Sequence, residues 1–295
     1  MVPAFTRSGA SDTLNCMGTQ SATAPPRAEN ITSRENRWLK TFRAALRDAK
    51  PTDDGCIGLE GWRLVEEALR SGLDIRALLL SASAQSHWPR IASLVPPNVP
   101  LLRTSDRLFD SVSGTDTPQG VAALVRPRES TFDDLLRGDV PLVVVLIAVQ
   151  DPGNVGTVLR SAEAFGATGV VTTRGTAHPF TPKVLRASAG SALRIPVLGG
   201  MAPAVILAQL RVAGLKLFAA TLATGPKAVE PVAATLREPC AILIGNEGAG
   251  LPPEIERSAD ALLRIPLAAP VDSLNAAVAA AILLYEAARQ RRLHG

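Results

Sequence analysis

PLVVVLIAVQDPGNVGTVLRSAEAFGATGVVTT (141–173) opens with an unbroken apolar run, breaks at Asp151–Pro152–Gly153, and resumes at helical and then at strand spacing. An apolar run without alternation is the pattern of a strand covered on both faces, as in the middle of a parallel sheet. DPGN then reads as a strand-to-helix turn. Gly153 permits the bend, Asn154 fits an N-cap, and Arg160 falls inside a helix over 155–166. The alternation continues through helix TPKVLRASAGSA (181–192), a strand near RIPVLG (194–199), helix PAVILAQLRVAG (203–214) and strand KLFAATL (216–222). Strand CAILIG (240–245), helix PPEIERSA (252–259), strand ALLRIPL (261–267) and a long helix over 274–292 complete it. The pattern predicts an α/β domain with a mostly parallel sheet over 140–295.

Upstream lies a smaller α/β pattern, over 31–127. Ile31–Lys50 carries Arg34, Arg37, Lys40, Arg43, Arg47 and Lys50 against Glu35 and Asp48, while Trp38, Leu39, Phe42, Ala45 and Leu46 recur at helical spacing. Such an amphipathic helix has a cationic outer face, either simply solvated or in contact with RNA. GCIGLEGWRLVEEALRSG (55–72) reads as a short strand or turn and a helix closed by Gly72. Strand IRALLLS, helix SHWPRIASLV before Pro96–Pro97, strand VPLLRTS, helix DRLFDSV and strand GVAALVRP follow. Residues 128–139 are polar and turn-rich and read as a linker. Residues 1–30 hold little to bury and read as a disordered tail: a transit segment, or a leader upstream of a start at Met17.

A length of 295 residues accommodates both domains. The net charge of +4 and pI near 9.3 are compatible with a nucleic-acid partner. Cys16, Cys56 and Cys240, with His87, His178 and His294, show no metal-ligand spacing, so no metal is expected. Sparse, odd cysteines suggest a reducing compartment, hence the cytoplasm. The longest apolar runs, near 141–149 and 276–285, are too short to span a bilayer, so no membrane association is expected.

Three blocks place polar residues at strand ends, where α/β sheets bind ligands. QDPGNVGTVLRSAEAFG (150–166) lacks GxGxxG, and no acid ends the next strand to hold a ribose. ILIGNEGAGLPPEI (242–255) sets Asn246 and Glu247 directly after a strand, between glycines that allow close approach, and lacks the GK[ST] of a phosphate loop. LRIPLAAPVDSLNAAVAAA (263–281) fixes a loop with Pro266 and Pro270 before Ser273, Leu274 and Asn275 open a helix, Ser273 fitting its cap. The Ala-rich helix face beyond suits either core or a subunit interface.

In this order and spacing the blocks resemble the three motifs of the SpoU (TrmH-type) RNA ribose 2′-O-methyltransferases, of the SPOUT superfamily. HPFTPKVLRASAGSALRIPV also looks like the family, as do GLEGWRLVEEALRSG and SGTDTPQGVAALVRP, which resemble its substrate-binding domain, related to small ribosomal RNA-binding proteins. The likeness covers roughly residues 35–292. It implies a C-terminal α/β domain tied into a deep trefoil knot, S-adenosylmethionine as cofactor, and a homodimer through the knotted domain with the active site near the interface. It implies cofactor contacts, largely through backbone, from Leu222, Gly245, Ile265 and Leu274. Arg160 would be the central catalytic group, with Asn154, Glu247, Ser273 and Asn275 orienting it, the ribose and the knot loops. A guanidinium is a poor base, so stabilisation of a developing alkoxide is the role expected of Arg160. The substrate-binding domain implies ribosomal RNA, with transfer RNA as the close alternative and a non-catalytic RNA-binding protein as the distant one.

Overall fold

The structure, a computed structural model, describes residues 28–292. The tail up to residue 27, with Cys16 and Met17, and His294 lie outside the described residues. The first sheet region contains β1 (Ala28–Ile31), α1 (Arg37–Leu46), β2 (Ile57–Glu60), α2 (Trp62–Arg70), β3 (Asp74–Ser81), α3 (Pro89–Ala92), β4 (Leu101–Thr104), α4 (Asp106–Asp110) and β5 (Val121–Arg126). Its strand order is β1-β4-β3-β5-β2; β1, β4 and β3 run parallel, and β5 is antiparallel to both its neighbours. Strand β1 corrects the tail: residues 28–30 pair with Leu101–Arg103 of β4. SHWPRIASLV is also not one helix. A 3₁₀ turn over Ser83–His87 precedes α3, whose first residue is Pro89, a residue suited to a helix start and not to its middle.

The stretch read as a linker holds α5 (Phe132–Leu135). A reciprocal capping box between Thr131 and Asp134 makes this short turn stable, and Leu135 is fully buried beneath Gly169.

The second sheet region comprises β6 (Leu142–Leu146), α6 (Pro152–Ala164), β7 (Gly169–Thr173), α7 (Pro182–Ala187), β8 (Val197–Met201), α8 (Pro203–Val212), β9 (Lys216–Ala220) and β10 (Ala228–Val229). It closes with β11 (Cys240–Ile244), α9 (Pro253–Ser258), β12 (Ala261–Leu263) and α10 (Ala276–Arg292). Seven strands in the order β10-β12-β9-β11-β6-β7-β8 are all parallel. From β6 the chain steps outward to β7 and β8, then returns across the sheet to β9 and β11. The reversal leaves a crevice at the carboxyl ends of β6 and β11, where α/β sheets characteristically bind ligands.

Helices α6, α7 and α10 cover one face of this sheet, and α8 and α9 the other. One buried cluster runs from Leu59 and Leu64 of the first region into Val155, Leu185 and Ala192 of the second. An ion network crosses the same seam, with Arg194 bridging Glu67 of α2 (2.7 Å) and Glu163 of α6 (2.5 Å). The far end of α10 is tied down by Arg291, which donates to the carbonyls of Val140 (2.7 Å), Glu238 (2.9 Å) and Leu236 (3.0 Å).

The contact between α6 and α7 depends on a glycine. A Cβ at Gly156 would stand 2.5 Å from the Ala187 Cβ, 2.7 Å from the Val184 carbonyl oxygen and 2.9 Å from the Ser188 nitrogen. Gly156→Ala is expected to cost about 1–3 kcal/mol through overpacking, read as a lowered midpoint in denaturant unfolding. An unchanged midpoint would show that the two helices do not require this approach.

Candidate functional site

The turn after β6 is capped by Asp151, whose Oδ1 accepts from the Asn154 N–H at 2.9 Å. Pro152 at the first helical position makes Asp151 the cap, because proline has no N–H to lose there. Asn154 is therefore not the N-cap, and its side chain is left for longer-range work. Its Nδ2 donates to Glu247 Oε1 at 2.9 Å, and its Oδ1 accepts from Asn275 Nδ2 at 2.9 Å.

Glu247 gathers the loop from the other side. Its Oε2 accepts from the Gln150 N–H and its Oε1 from the Asp151 N–H, both at 3.2 Å. Partial burial would raise its carboxyl. The Asn154 amide and the backbone N–H groups of Glu247, Asp151 and Gln150 outweigh that and hold it below the ordinary carboxylate range.

Asn246 ties the same segments a second time, donating to the Ala148 carbonyl at 2.8 Å while its Oδ1 accepts from Gly248 and Ala249 N–H at 2.9 Å. Asn275 Oδ1 accepts from Ala277 N–H at 2.9 Å and so caps α10, the place expected of Ser273. Asn275 stands next to the first helical residue, whereas Ser273 lies two residues farther out and makes no side-chain hydrogen bond among the described residues.

Beside this network a cavity of about 380 Å³ opens over the carboxyl ends of β9, β11 and β12. Leu222, Gly245, Ile265 and Leu274 all line it, as do Glu247 and Ser273. A Cβ at Gly245 would sit 2.5 Å from the Gly250 oxygen and 2.6 Å from the Leu251 nitrogen, so no side chain fits under the turn that closes on Asn246–Gly250. Sequence reasoning gave no role to Thr221 and Glu256, which meet at 2.7 Å in the cavity wall, or to Gln150, Asp151 and Asn246. The position of Asn246 between a strand and Glu247 was the available signal for it.

Arg160 stands apart. It is exposed on α6, does not line the cavity, and makes no hydrogen bond or ion pair among the described residues. The expectation that Asn154, Glu247, Ser273 and Asn275 orient it is therefore corrected within one chain: Asn154, Glu247 and Asn275 tie the loops to one another, and Ser273 bonds to none of them. Among the described residues no group of three or more His, Cys, Asp or Glu is placed to hold a metal.

The profile of the SpoU rRNA Methylase family matches residues 141–285, and that of the MRM3-like substrate binding domain residues 44–123. The chain is 34% identical over 257 residues to the 23S rRNA (guanosine(2553)-2′-O)-methyltransferase RlmP of Bacillus subtilis strain 168, covering 87% of this chain and 98% of that protein. The chain belongs to the SpoU rRNA methylase family. Its enzyme class is RNA 2′-O-methyltransferase, and its cofactor is S-adenosylmethionine.

The AdoMet-bound rRNA methyltransferase from Sinorhizobium meliloti superposes with a TM-score of 0.78 at 32% identity, covering 89% of this chain and 98% of that one. The SpoU methyltransferase AviRb from Streptomyces viridochromogenes, in complex with AdoMet, gives the same TM-score at 28% identity over 88% and 99%. The α/β fold with a parallel sheet matches these structures.

The cavity fits that cofactor in size and in chemistry. It is within the range of small-molecule sites, its walls are apolar at Leu222, Ile265 and Leu274, and its polar groups come from the 245–250 turn and from Thr221, Glu256 and Ser273.

Because the Glu247 carboxyl is depressed in the folded chain, its ties are complete above the ordinary range, about pH 4.3, and are lost as pH falls through the lowered value. Cofactor affinity is expected to be flat from neutral pH down to the ordinary carboxylate range, about 4.3, and to fall only as pH passes through the lowered value. In Glu247→Gln it should be severalfold weaker at neutral pH without the acid limb. Titration calorimetry across pH checks both, and an acid limb retained in the variant would assign it to another group.

Proposed function

We propose that this chain methylates a ribose 2′-oxygen in 23S ribosomal RNA. The observation that carries the reading is the cofactor-sized cavity standing directly against the Asn275–Asn154–Glu247 chain at the sheet's crevice. The 23S substrate of the B. subtilis relative and the matched substrate-binding domain support the choice of RNA.

Gly245, Leu222, Ile265 and Leu274 would hold S-adenosylmethionine, which when bound supplies an activated methyl on a sulfonium. The chain's own part is positioning and charge. Asn154, Glu247 and Asn275 fix the loops after β6 and β11 and the start of α10 against each other, so the acceptor ribose meets a rigid wall. Ser273, at the cavity edge, is placed to touch the ribose or the cofactor. Arg160 stabilises the negative charge that develops on the 2′-oxygen as its proton leaves for a phosphate or water. A guanidinium without a counterion keeps its full charge for that task.

The position of Arg160 supports a homodimer. Val278, Ile282 and Tyr285 on α10 are 48%, 38% and 55% exposed, one helical stripe of large apolar residues beside α6. Tyr285 meets Phe165 edge-on at 5.8 Å, so the stripe adjoins the helix that carries Arg160. A second copy docked on this face would bring Arg160 into the seam, near an active site shared by the subunits. The knot of the family is proposed for the segment that joins β11 to α10; the convergence of the loops after β9, β11 and β12 on one cavity supports it. No helix among the described residues is long and apolar enough to cross a membrane, and the buried free thiols of Cys56 and Cys240 support a reducing, cytoplasmic setting.

Residues 31–127 serve in this reading as the RNA-recognition domain and 140–295 as the methyltransferase domain, joined through 128–139.

Arg160→Ala is expected to lose methyl transfer by at least a thousandfold, about 4 kcal/mol, while binding cofactor as the wild type does. Substantial turnover would remove Arg160 from the centre of the mechanism. Ribose-methylation mapping of 23S and transfer RNA in a deletion strain tests the substrate: loss of one 23S mark supports the reading, and loss only in transfer RNA overturns it. Ile282→Asp should give a monomer in light scattering, with activity lost; a fully active monomer would refute the shared site.

A further inference from the structure

Between Glu163 and Glu230 the chain has no Asp or Glu, a run of 66 residues that holds Arg174, Lys183, Arg186, Arg194, Arg211, Lys216 and Lys227. Four of these cations are engaged. Arg194 joins Glu67 and Glu163, Arg211 joins Asp260, Lys216 joins Glu238 at 2.6 Å, and Lys227 donates to the carbonyls of Arg257 and Ala259. The other three, Arg174, Lys183 and Arg186, are exposed and have no hydrogen bond or ion pair among the described residues. All three fall on one unit, the end of β7, its turn and α7.

That unit is rigid and well placed. Arg174 N–H donates to the Met201 carbonyl at 3.1 Å, Thr176 Oγ1 to the Leu146 carbonyl at 3.0 Å, and Ala177 N–H to the Val149 carbonyl at 2.9 Å. Gly175 takes φ +85°, the left-handed conformation the turn requires. Strand β7 is two places from β11 in the sheet, about 10 Å at the usual strand spacing. A ribose seated beside the Asn154–Glu247 tie, next to the cavity over β9, β11 and β12, would direct the flanking RNA toward β7 and α7.

The carboxylates on the neighbouring ends, Asp151 and Glu247, are turned to backbone and amide donors. Lys183 and Arg186 lie one helical turn apart on the exposed side of α7, which packs against α6, the helix of Arg160.

We propose that Arg174, Lys183 and Arg186 form a docking surface for the phosphodiester backbone of the RNA that flanks the target nucleotide. The inference rests on the RNA reaction proposed above and adds to it a contact made by the methyltransferase domain itself. The surface reads charge and not sequence, since phosphate contacts set register and orientation. Arg174 at the turn and Lys183 and Arg186 on α7, presented without counterions among the described residues, have no ion pair to break when a phosphate arrives.

The test compares the full chain with the Arg174→Ala/Lys183→Ala/Arg186→Ala variant. Equilibrium binding to an unmodified 23S rRNA transcript is measured across a salt series, beside calorimetric cofactor binding and thermal melting. Removing three phosphate contacts should weaken RNA binding on the order of a hundredfold at 0.1 M salt and make the log–log salt slope shallower by about 2–3. Cofactor affinity and melting should stay as in the wild type, and Arg174→Lys alone should keep most of the RNA affinity. Unchanged affinity and slope in the triple variant overturn the proposal.

Methyl incorporation is read separately. A wild type that methylates no RNA, yet loses affinity and slope when these charges are removed, refutes the reaction and keeps the surface. A methylating wild type with an indifferent triple variant refutes the surface and keeps the reaction.

Discussion

The Glu247 carboxylate joins segments that the chain keeps almost a hundred residues apart. Its two oxygens accept from Gln150 and Asp151 N–H and from the Asn154 amide, closing the carboxyl end of β6 onto that of β11. At a point of topological reversal the connections leaving neighbouring strands diverge, so no regular structure holds their ends together. A carboxylate is suited to the gap because it accepts several donors at once and offers none. Asn154 extends the tie to Asn275 and hence to the start of α10, so one polar chain sets the distance between three loops. The cavity beside it has a defined shape because that distance is set.

Where a strand is decided by its own composition, the sequence reveals it. LVVVL of β6 is apolar on both faces and is found as the sheet's buried strand, fully covered. Elements decided by distant partners are silent. AENI of β1 has no strand-like composition; it is extended because β4 offers it a parallel edge some seventy residues away. Caps show a third kind of failure. Asp151 and Asn154 compete for one N-terminus, as do Ser273 and Asn275 for another, and residue preference at a cap does not separate Asp from Asn. In the first pair the outcome follows from Pro152, which is visible in the sequence. The consequence is not: the residue released from capping becomes the centre of the loop network.

The cavity itself was legible only through family resemblance, and the reason lies in its chemistry. Part of its lining is the backbone of the 245–250 turn, and its most restrictive feature is a missing atom, the Cβ of Gly245 beneath the Gly250 carbonyl. Backbone donors are present at every residue except proline, so they leave no trace in composition. A glycine required by close approach looks like a glycine required by a turn. What distinguishes the two is a contact with the backbone of residues 250–251, which local sequence cannot display.

Arginine serves two opposed purposes in this chain, and its partners tell them apart. Arg194 sits between two carboxylates and Arg291 among four carbonyls, so their charge is spent on holding the two regions together and α10 in place. Balanced by its two carboxylates, Arg194 offers little potential to an arriving anion, and the donors of Arg291 are already taken. Arg160 is left without a counterion on an exposed face, although Glu163 lies one turn along the same helix. Arg194 takes that carboxylate at 2.5 Å and draws it toward α2. The bridge that fixes the first region onto the second thus also removes the one acidic group on α6 from competition for Arg160. Interdomain stability and the electrostatic availability of Arg160 are in this way two effects of a single ion network.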